Sequence, residues 1–187
     1  MDLIKRCPCW DGEYDELSID YHDHKWCKPI HDDNEIFSWM CLEIFSCGLS
    51  WKLILKKEKA FRESMHDFDI DFVASLTDAD IDSLSKNPLL IRHKGKFEAC
   101  RKNAFAAKTI QKNYGSLNDY LWSFVGGKQI DHRLREIDKM PSKDDLSISL
   151  SKDLKKNGFI FLGPLITYSF FQAIGMINDH CLHCSFR

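Results

Sequence analysis

Glu43 stands in the stretch EIFSWMCLEIFSCGLSW, residues 35–51, which is apolar on nearly every side when wound at about 100° per residue. On that wheel Ile36, Met40 and Cys47 share one side, with Phe37 and Ile44 beside them. Trp39 and Leu42 flank the other side, and Glu43 falls between Trp39 and the Ile36/Met40 side. A carboxylate on a surface that ought to be buried is costly unless it is paired, hydrogen-bonded or used. Gly48 stops the helix, and Ser50 and Trp51 follow it. An acid beside an indole is raw material for a pocket that grips a flat or cationic ligand. The structural alternatives are a bridge from Glu43 to a buried Lys or Arg, or a cap on another helix. Tyr21, Trp26 and Trp51 have the same two readings, as walls of a slot or as core. Gln172, the one polar residue inside the last apolar helix, reads as an interhelical hydrogen bonder.

A second set of reactive residues sits at the two chain ends. His180 and Cys184 are four apart, so both can face one side of a helical turn. The head offers Cys7, Cys9, His22 and His24. Two thiolates and two imidazoles drawn from both ends would make a tetrahedral zinc site that staples the termini together. The head spacing is not a standard finger pattern, and a frayed, thiol-rich tail is the other reading.

A third set is basic. From Arg92 to Lys112 there are seven Lys/Arg (Arg92, Lys94, Lys96, Arg101, Lys102, Lys108, Lys112) against one acid, Glu98. A basic helix with Gly95 near its amino end can take a phosphate on its unpaired amides, although such a face is often merely solvated.

Helical periodicity supplies the elements that must hold these groups. Residues 1–34 read as irregular, with six acids and no Lys or Arg between Asp11 and Asp23. Helices are expected over 34–47 with Asn34 as its cap, over 53–65, from Asp69 or Asp71 to Ser75, and from a Thr77/Asp80 capping box to Asn87-Pro88. Others follow over 91–112, where Phe97, Cys100, Ala104, Ala107 and Ile110 form the inner stripe, and over 114–125. The last two run from Ser142 or Ser147 to Lys156, and from Pro164 to Ile177. Residues 128–141 read as a polar connection. Period-2 runs are few and no repeat appears, so the fold class is all-α.

A length of 187 residues suits one domain, 1–187, with residues 1–34 and 178–187 forming the metal staple. No run of about 18 apolar residues exists, so no membrane partner is expected. The head MDLIKRCPCW has no signal-peptide core, which points to the cytosol. In a reducing compartment the eight cysteines are thiols or ligands rather than disulfides.

Several stretches together resemble the 3-methyladenine DNA glycosylase I family. They are Tyr21-His22-Asp23-x-x-Trp26, Cys41-Leu42-Glu43 leading to Gly48-Leu49-Ser50-Trp51, and Ile91-Arg92-His93-Lys94-Gly95-Lys96. Leu121-Trp122-Ser123-Phe124-Val125, Gly158-Phe159-x-Phe161-x-Gly163 and Gln172-Ala173-x-Gly175-x-x-Asn178-Asp179-His180 complete the set. They are collinear over nearly the whole chain. The resemblance implies an all-helical domain related to the helix-hairpin-helix glycosylases, with a structural zinc joining the termini. It places the metal on Cys7, His22, His180 and Cys184, with Cys9 as a rival to Cys7. It places base binding on Tyr21, Trp26, Glu43 and Trp51 and catalysis on Glu43, while the basic set itself points to DNA contact at Arg92, Lys94, Gly95 and Lys96. It implies a monomer that acts on double-stranded alkylated DNA, flips out 3-methyladenine and hydrolyses its glycosidic bond. The alternative is a non-catalytic relative that binds alkylated bases or DNA. The chain departs from the pattern at Ser46-Cys47, at Lys25 and Cys27 around Trp26, at Trp10, and at Pro164-Leu165.

Overall fold

A computed structural model describes residues 4–8, 15–135 and 140–187. Its centre is α2 (Asp33–Ser46), whose residues from Ile36 to Phe45 are all buried. Around α2 pack α3 (Trp51–Ser64), α6 (Lys94–Tyr114), α7 (Leu117–Ser123) and α9 (Pro164–Ala173). A helix that is apolar all round needs neighbours on every side, and these four supply them. Phe45 joins two of them, with ring centroids 4.3 Å from Phe61 of α3 and 4.8 Å from Phe97 of α6. The expected inner stripe of α6, Phe97, Cys100, Ala104, Ala107 and Ile110, is buried. Short helices α4 (Ile70–Ser75) and α5 (Asp78–Leu84) cover α6 on its other side, and α8 (Asp145–Lys156) packs on α9.

Caps decide where the helices begin. The Thr77/Asp80 box is present, as expected. Asp32, not Asn34, caps α2 through Glu35 N at 2.9 Å. Asn34 instead crosses to α4, where its Oδ1 accepts from Ile70 N at 3.0 Å. Asp33, one residue before it, accepts from Leu117 N and Asn118 N and so ties the start of α7 to the start of α2. The cap of α8 is Asp144, in a box with Ser147, rather than either serine expected.

Three expectations are corrected. The acidic head is not wholly irregular: α1 (Glu16–Asp20) runs into a single π turn, Tyr21–Lys25. The final helix ends at Ala173, not Ile177. Gly175 takes φ +69°, and a Cβ there would stand 2.3 Å from the Lys28 carbonyl carbon. That close approach seats residues 26–30 on the end of α9, where Cys27 N donates to Gln172 O and Ile30 N to Ile174 O. The polar connection contains β1 (Ile130–Asp131), which pairs in parallel with β2 (Ile177–Asn178). The termini meet: Ser185 N donates to Lys5 O at 2.8 Å and Lys5 N to Ser185 Oγ at 3.0 Å. Among the described residues no helix is long and apolar enough to cross a membrane.

Candidate active site

Glu43 occupies the last full turn of α2 and is 4 % exposed. It borders a cavity of about 280 Å³ lined by Tyr21, Trp26, Glu43, Ser46, Leu49, Trp51, Met140, Ser169 and Gln172. All four residues named for base binding therefore meet at one cavity. The π turn brings two of them there. Trp26 N donates to Tyr21 O, five residues back, at 2.8 Å. This wider loop lets Tyr21 and Trp26 both reach the cavity while His22 between them turns towards the chain ends. Gly48 at φ +75° reverses the chain after α2, and Ser50 caps α3, so Trp51 opens that helix as the facing wall. Tyr21 and Trp51 have ring centroids 5.3 Å apart, and Trp39 stands behind both at 5.5 Å and 6.3 Å.

The electrostatics of the cavity centre on Glu43. Among the described residues no cation pairs with it, and its side-chain hydrogen bond comes from Ser46 Oγ at 3.3 Å. Burial pushes its carboxyl up to about 8, against the smaller, opposing effect of the Ser46 hydroxyl. At neutral pH the group holds its proton. A positive charge entering the cavity favours the carboxylate and drives that proton off. Burial, and Glu43 after it, also raise Tyr21, which stays a neutral phenol. Trp51 Nε1 and Trp39 Nε1 are the buried side-chain polar atoms without a hydrogen-bond partner among the described residues.

A cluster of groups that could hold a metal ion forms where the π turn meets the chain ends. Cys7, His22, His180 and Cys184 are all buried, with ligand atoms within 4.8 Å of one another. His180 Nδ1 is 3.5 Å from Cys7 Sγ and 3.4 Å from Cys184 Sγ, and His22 Nε2 is 3.8 Å from Cys184 Sγ. Tetrahedral bonds of about 2.1 Å to nitrogen and 2.3 Å to sulfur put ligand atoms about 3.6 Å apart, so the four groups fit a tetrahedral ion. The outer shell fits as well. His22 Nδ1 faces Asp23 Oδ1 at 2.7 Å, and Arg6 clamps that carboxylate with Nη2 at 2.8 Å. His180 Nε2 faces Trp26 O at 3.2 Å. Each ring thus has an oxygen acceptor behind it that fixes which nitrogen meets the ion. Burial, with His22 next, lowers His180 to about 4, and burial raises the Cys184 thiol to about 11. The His180 imidazole is therefore ready as a neutral ligand, and an ion would have to displace the Cys184 thiol proton. Cys9 lies outside the described residues.

The basic segment splits. Arg92 and Lys94 are exposed, with Lys94 Nζ 2.6 Å from Asp82, and Gly95 lies in the first turn of α6. Lys96 is corrected as a DNA contact. It is buried, and its Nζ donates to Cys47 O at 2.7 Å and Phe45 O at 3.0 Å. The ammonium closes the carbonyl end of α2, where the helix dipole is negative. Sequence reasoning did not find Ser46, Leu49, Met140 or Ser169 as lining residues, and read Gln172 as an interhelical hydrogen bonder rather than part of the site. Only Ser46 left a signal, three positions from Glu43 on the same helix.

Comparison with known proteins places these features in a family. The family described as methyladenine glycosylase matches residues 10–187. The chain is similar to the DNA-3-methyladenine glycosylase of Haemophilus influenzae, 42 % identical over 182 residues and 97 % of each chain. It is similar to the DNA-3-methyladenine glycosylase 1 of Escherichia coli, 39 % identical over 97 % of this chain and 96 % of that one. A crystal structure of 3-methyladenine DNA glycosylase I superposes with TM-score 0.92 at 40 % identity, covering 97 % of this chain and 98 % of the other. The Staphylococcus aureus enzyme, solved for its 3-methyladenine recognition, gives TM-score 0.90 at 39 % identity over 93 % of both chains.

Proposed function

The chain belongs to the methyladenine glycosylase family, and on that premise we infer that it is a monofunctional DNA-3-methyladenine glycosylase of base-excision repair. It hydrolyses the N-glycosidic bond of 3-methyladenine in alkylated double-stranded DNA, releasing the base and leaving an abasic site. The observation that carries the reading is a buried acid, without a counter-cation among the described residues, facing an aromatic-walled cavity. A bridge to a lysine or arginine would have made Glu43 structural.

The division of labour follows from charge. Methylation at N3 makes the base cationic in DNA, so its bond to the sugar is already weakened and strong protonation of the leaving group is unnecessary. The enzyme must extrude the base and tell it from adenine. Tyr21, Trp26 and Trp51 present π faces to a positively charged ring. Glu43 releases its proton to solvent when a cation stands beside it and keeps it beside a neutral base, which favours the methylated purine over adenine. Water attacks a sugar with oxocarbenium character, and the phosphates and the Glu43 carboxylate supply the negative charge.

The Cys7/His22/His180/Cys184 centre holds structural zinc in this reading. Four protein ligands leave no open position for substrate, so zinc supplies rigidity and not chemistry. It fixes Trp26, whose carbonyl meets His180 and whose ring centroid lies 4.7 Å from that imidazole. The enzyme is a cytosolic monomer of the helix-hairpin-helix superfamily. Arg92, Lys94 and the amides around Gly95 meet DNA phosphate, and the inward reach of Lys96 holds that end of α6 beside the cavity rim. The test is release of free 3-methyladenine from methylated duplex DNA by wild type and Glu43→Gln. Loss of release with unchanged fold supports the assignment, and wild-type activity in the variant removes Glu43 from the mechanism.

A further inference from the structure

Gln172 stands in the last turn of α9 and lines the same cavity. Its Nε2 donates to Asp179 Oδ2 at 2.8 Å and reaches Met140 Sδ at 3.2 Å. Asp179 is fully buried, with Tyr168 OH donating to the same oxygen at 2.7 Å and His132 Nδ1 2.6 Å from the other. A carboxylate only accepts, so the amide cannot turn its oxygen towards it. The backbone is held too, because Gln172 O accepts from Cys27 N at 2.8 Å. With its hydrogens committed, Gln172 has one polar edge left, Oε1. That oxygen has no partner among the described residues and is not one of the sealed-off polar atoms.

We propose that Gln172 is a specificity-determining residue whose fixed Oε1 reads the 6-position of the extruded purine. It accepts a hydrogen bond from the exocyclic amino group of a 6-amino purine and repels the oxygen of a 6-oxo purine. This rests on the glycosylase reading above. Glu43 cannot make that distinction by itself, because a carboxyl group that gains and loses a proton serves both donors and acceptors. Gln172 is neutral at every working pH and is locked in one orientation. An oxygen facing it would leave two acceptors together in a water-poor site, the kind of mispairing that polar pockets reject strongly.

The experiment measures kcat/KM for release of 3-methyladenine and 3-methylguanine from one methylated duplex by wild type and by Gln172→Met, which keeps the bulk and removes the acceptor. The expected result is a fall of about 10- to 100-fold for 3-methyladenine with no fall for 3-methylguanine. Melting temperature and metal content monitor the fold. An equal fall for both bases, leaving their ratio unchanged, overturns the proposal, since a purely structural role lowers both. Should Gln172→Met not fold, inhibition of wild type by the two free bases decides. At least tenfold stronger inhibition by 3-methyladenine supports the proposal, and equal inhibition overturns it. A wild type that releases neither base removes the glycosylase reading itself, which is a different outcome.

Discussion

The Ser46 hydroxyl lies 2.8 Å from Glu43 O and 3.3 Å from Glu43 Oε2, one turn further along the same helix. Among the described residues it is the one hydroxyl offered to an acid that burial holds near 8. A serine at this place lets the carboxylate form when a cation arrives without supplying a permanent positive charge. A lysine or arginine there would stabilise the carboxylate with or without substrate, and the preference for charged bases would weaken.

Stability should record that burial. The unfolded Glu43 releases its proton near 4.5, and the folded one near 8. Between these values the native state binds the extra proton, so stability falls as pH rises through the window and levels off above it. Glu43→Gln abolishes the dependence. The variant should be more stable than wild type at pH 9 by on the order of 3–5 kcal/mol, with the advantage vanishing below about pH 4.5. Urea melts across that range check it, and parallel curves for both proteins would contradict the burial argument.

Activity should follow the same group with the opposite slope. The carboxylate is the form that receives a cationic base, so kcat/KM for 3-methyladenine release rises with pH towards about 8. Ser46→Ala removes the hydrogen bond that lowers the acid, and should move this limb to higher pH while leaving the plateau within a few-fold. Glu43→Gln should lose the limb altogether and release base about 10²- to 10³-fold more slowly. A pH–rate profile unchanged by Ser46→Ala would show that another group sets the limb.

Metal and folding should be lost together at the chain ends. Cys184→Ala, Cys7→Ala or a strong chelator should strip the ion and lower the melting temperature in one step, because the ligands come from both termini. Cys9→Ala should keep both. Elemental analysis beside calorimetry decides, and a Cys7→Ala protein that retains one ion per chain would shift the ligand to Cys9.

Lys96 and Arg92 should behave differently despite lying four residues apart. Lys96→Met leaves the carbonyls of Phe45 and Cys47 without their donor, at a cost of about 1–3 kcal/mol in stability. Arg92→Ala should leave the melting temperature alone and reduce the slope of log K against log salt for DNA by about one contact. Salt titrations of duplex binding separate the two. A Lys96→Met variant of unchanged stability would contradict the capping role.

Local chemistry alone exposed a good part of this protein. The mostly helical architecture, the Thr77/Asp80 box, the inner stripe of α6 and the conflict at Glu43 all follow from residues a few positions apart, because helical periodicity is a short-range property. The spacing of His180 and Cys184, and the soft ligands at the head, already suggested a staple. What tertiary structure alone decided depends on partners far away in the chain. Lys96 turns inward because α2 ends beside it, fifty positions earlier. Asn34 accepts from Ile70 N at the start of α4, thirty-six positions on, while Asp32 caps α2. Gln172 presents its oxygen because Asp179 holds its nitrogen. The π turn that directs Tyr21 and Trp26 to the cavity and His22 to the Cys/His cluster is too short to show a period. Direction of a side chain is set by what packs against it, and a linear string records the side chain but not the neighbour.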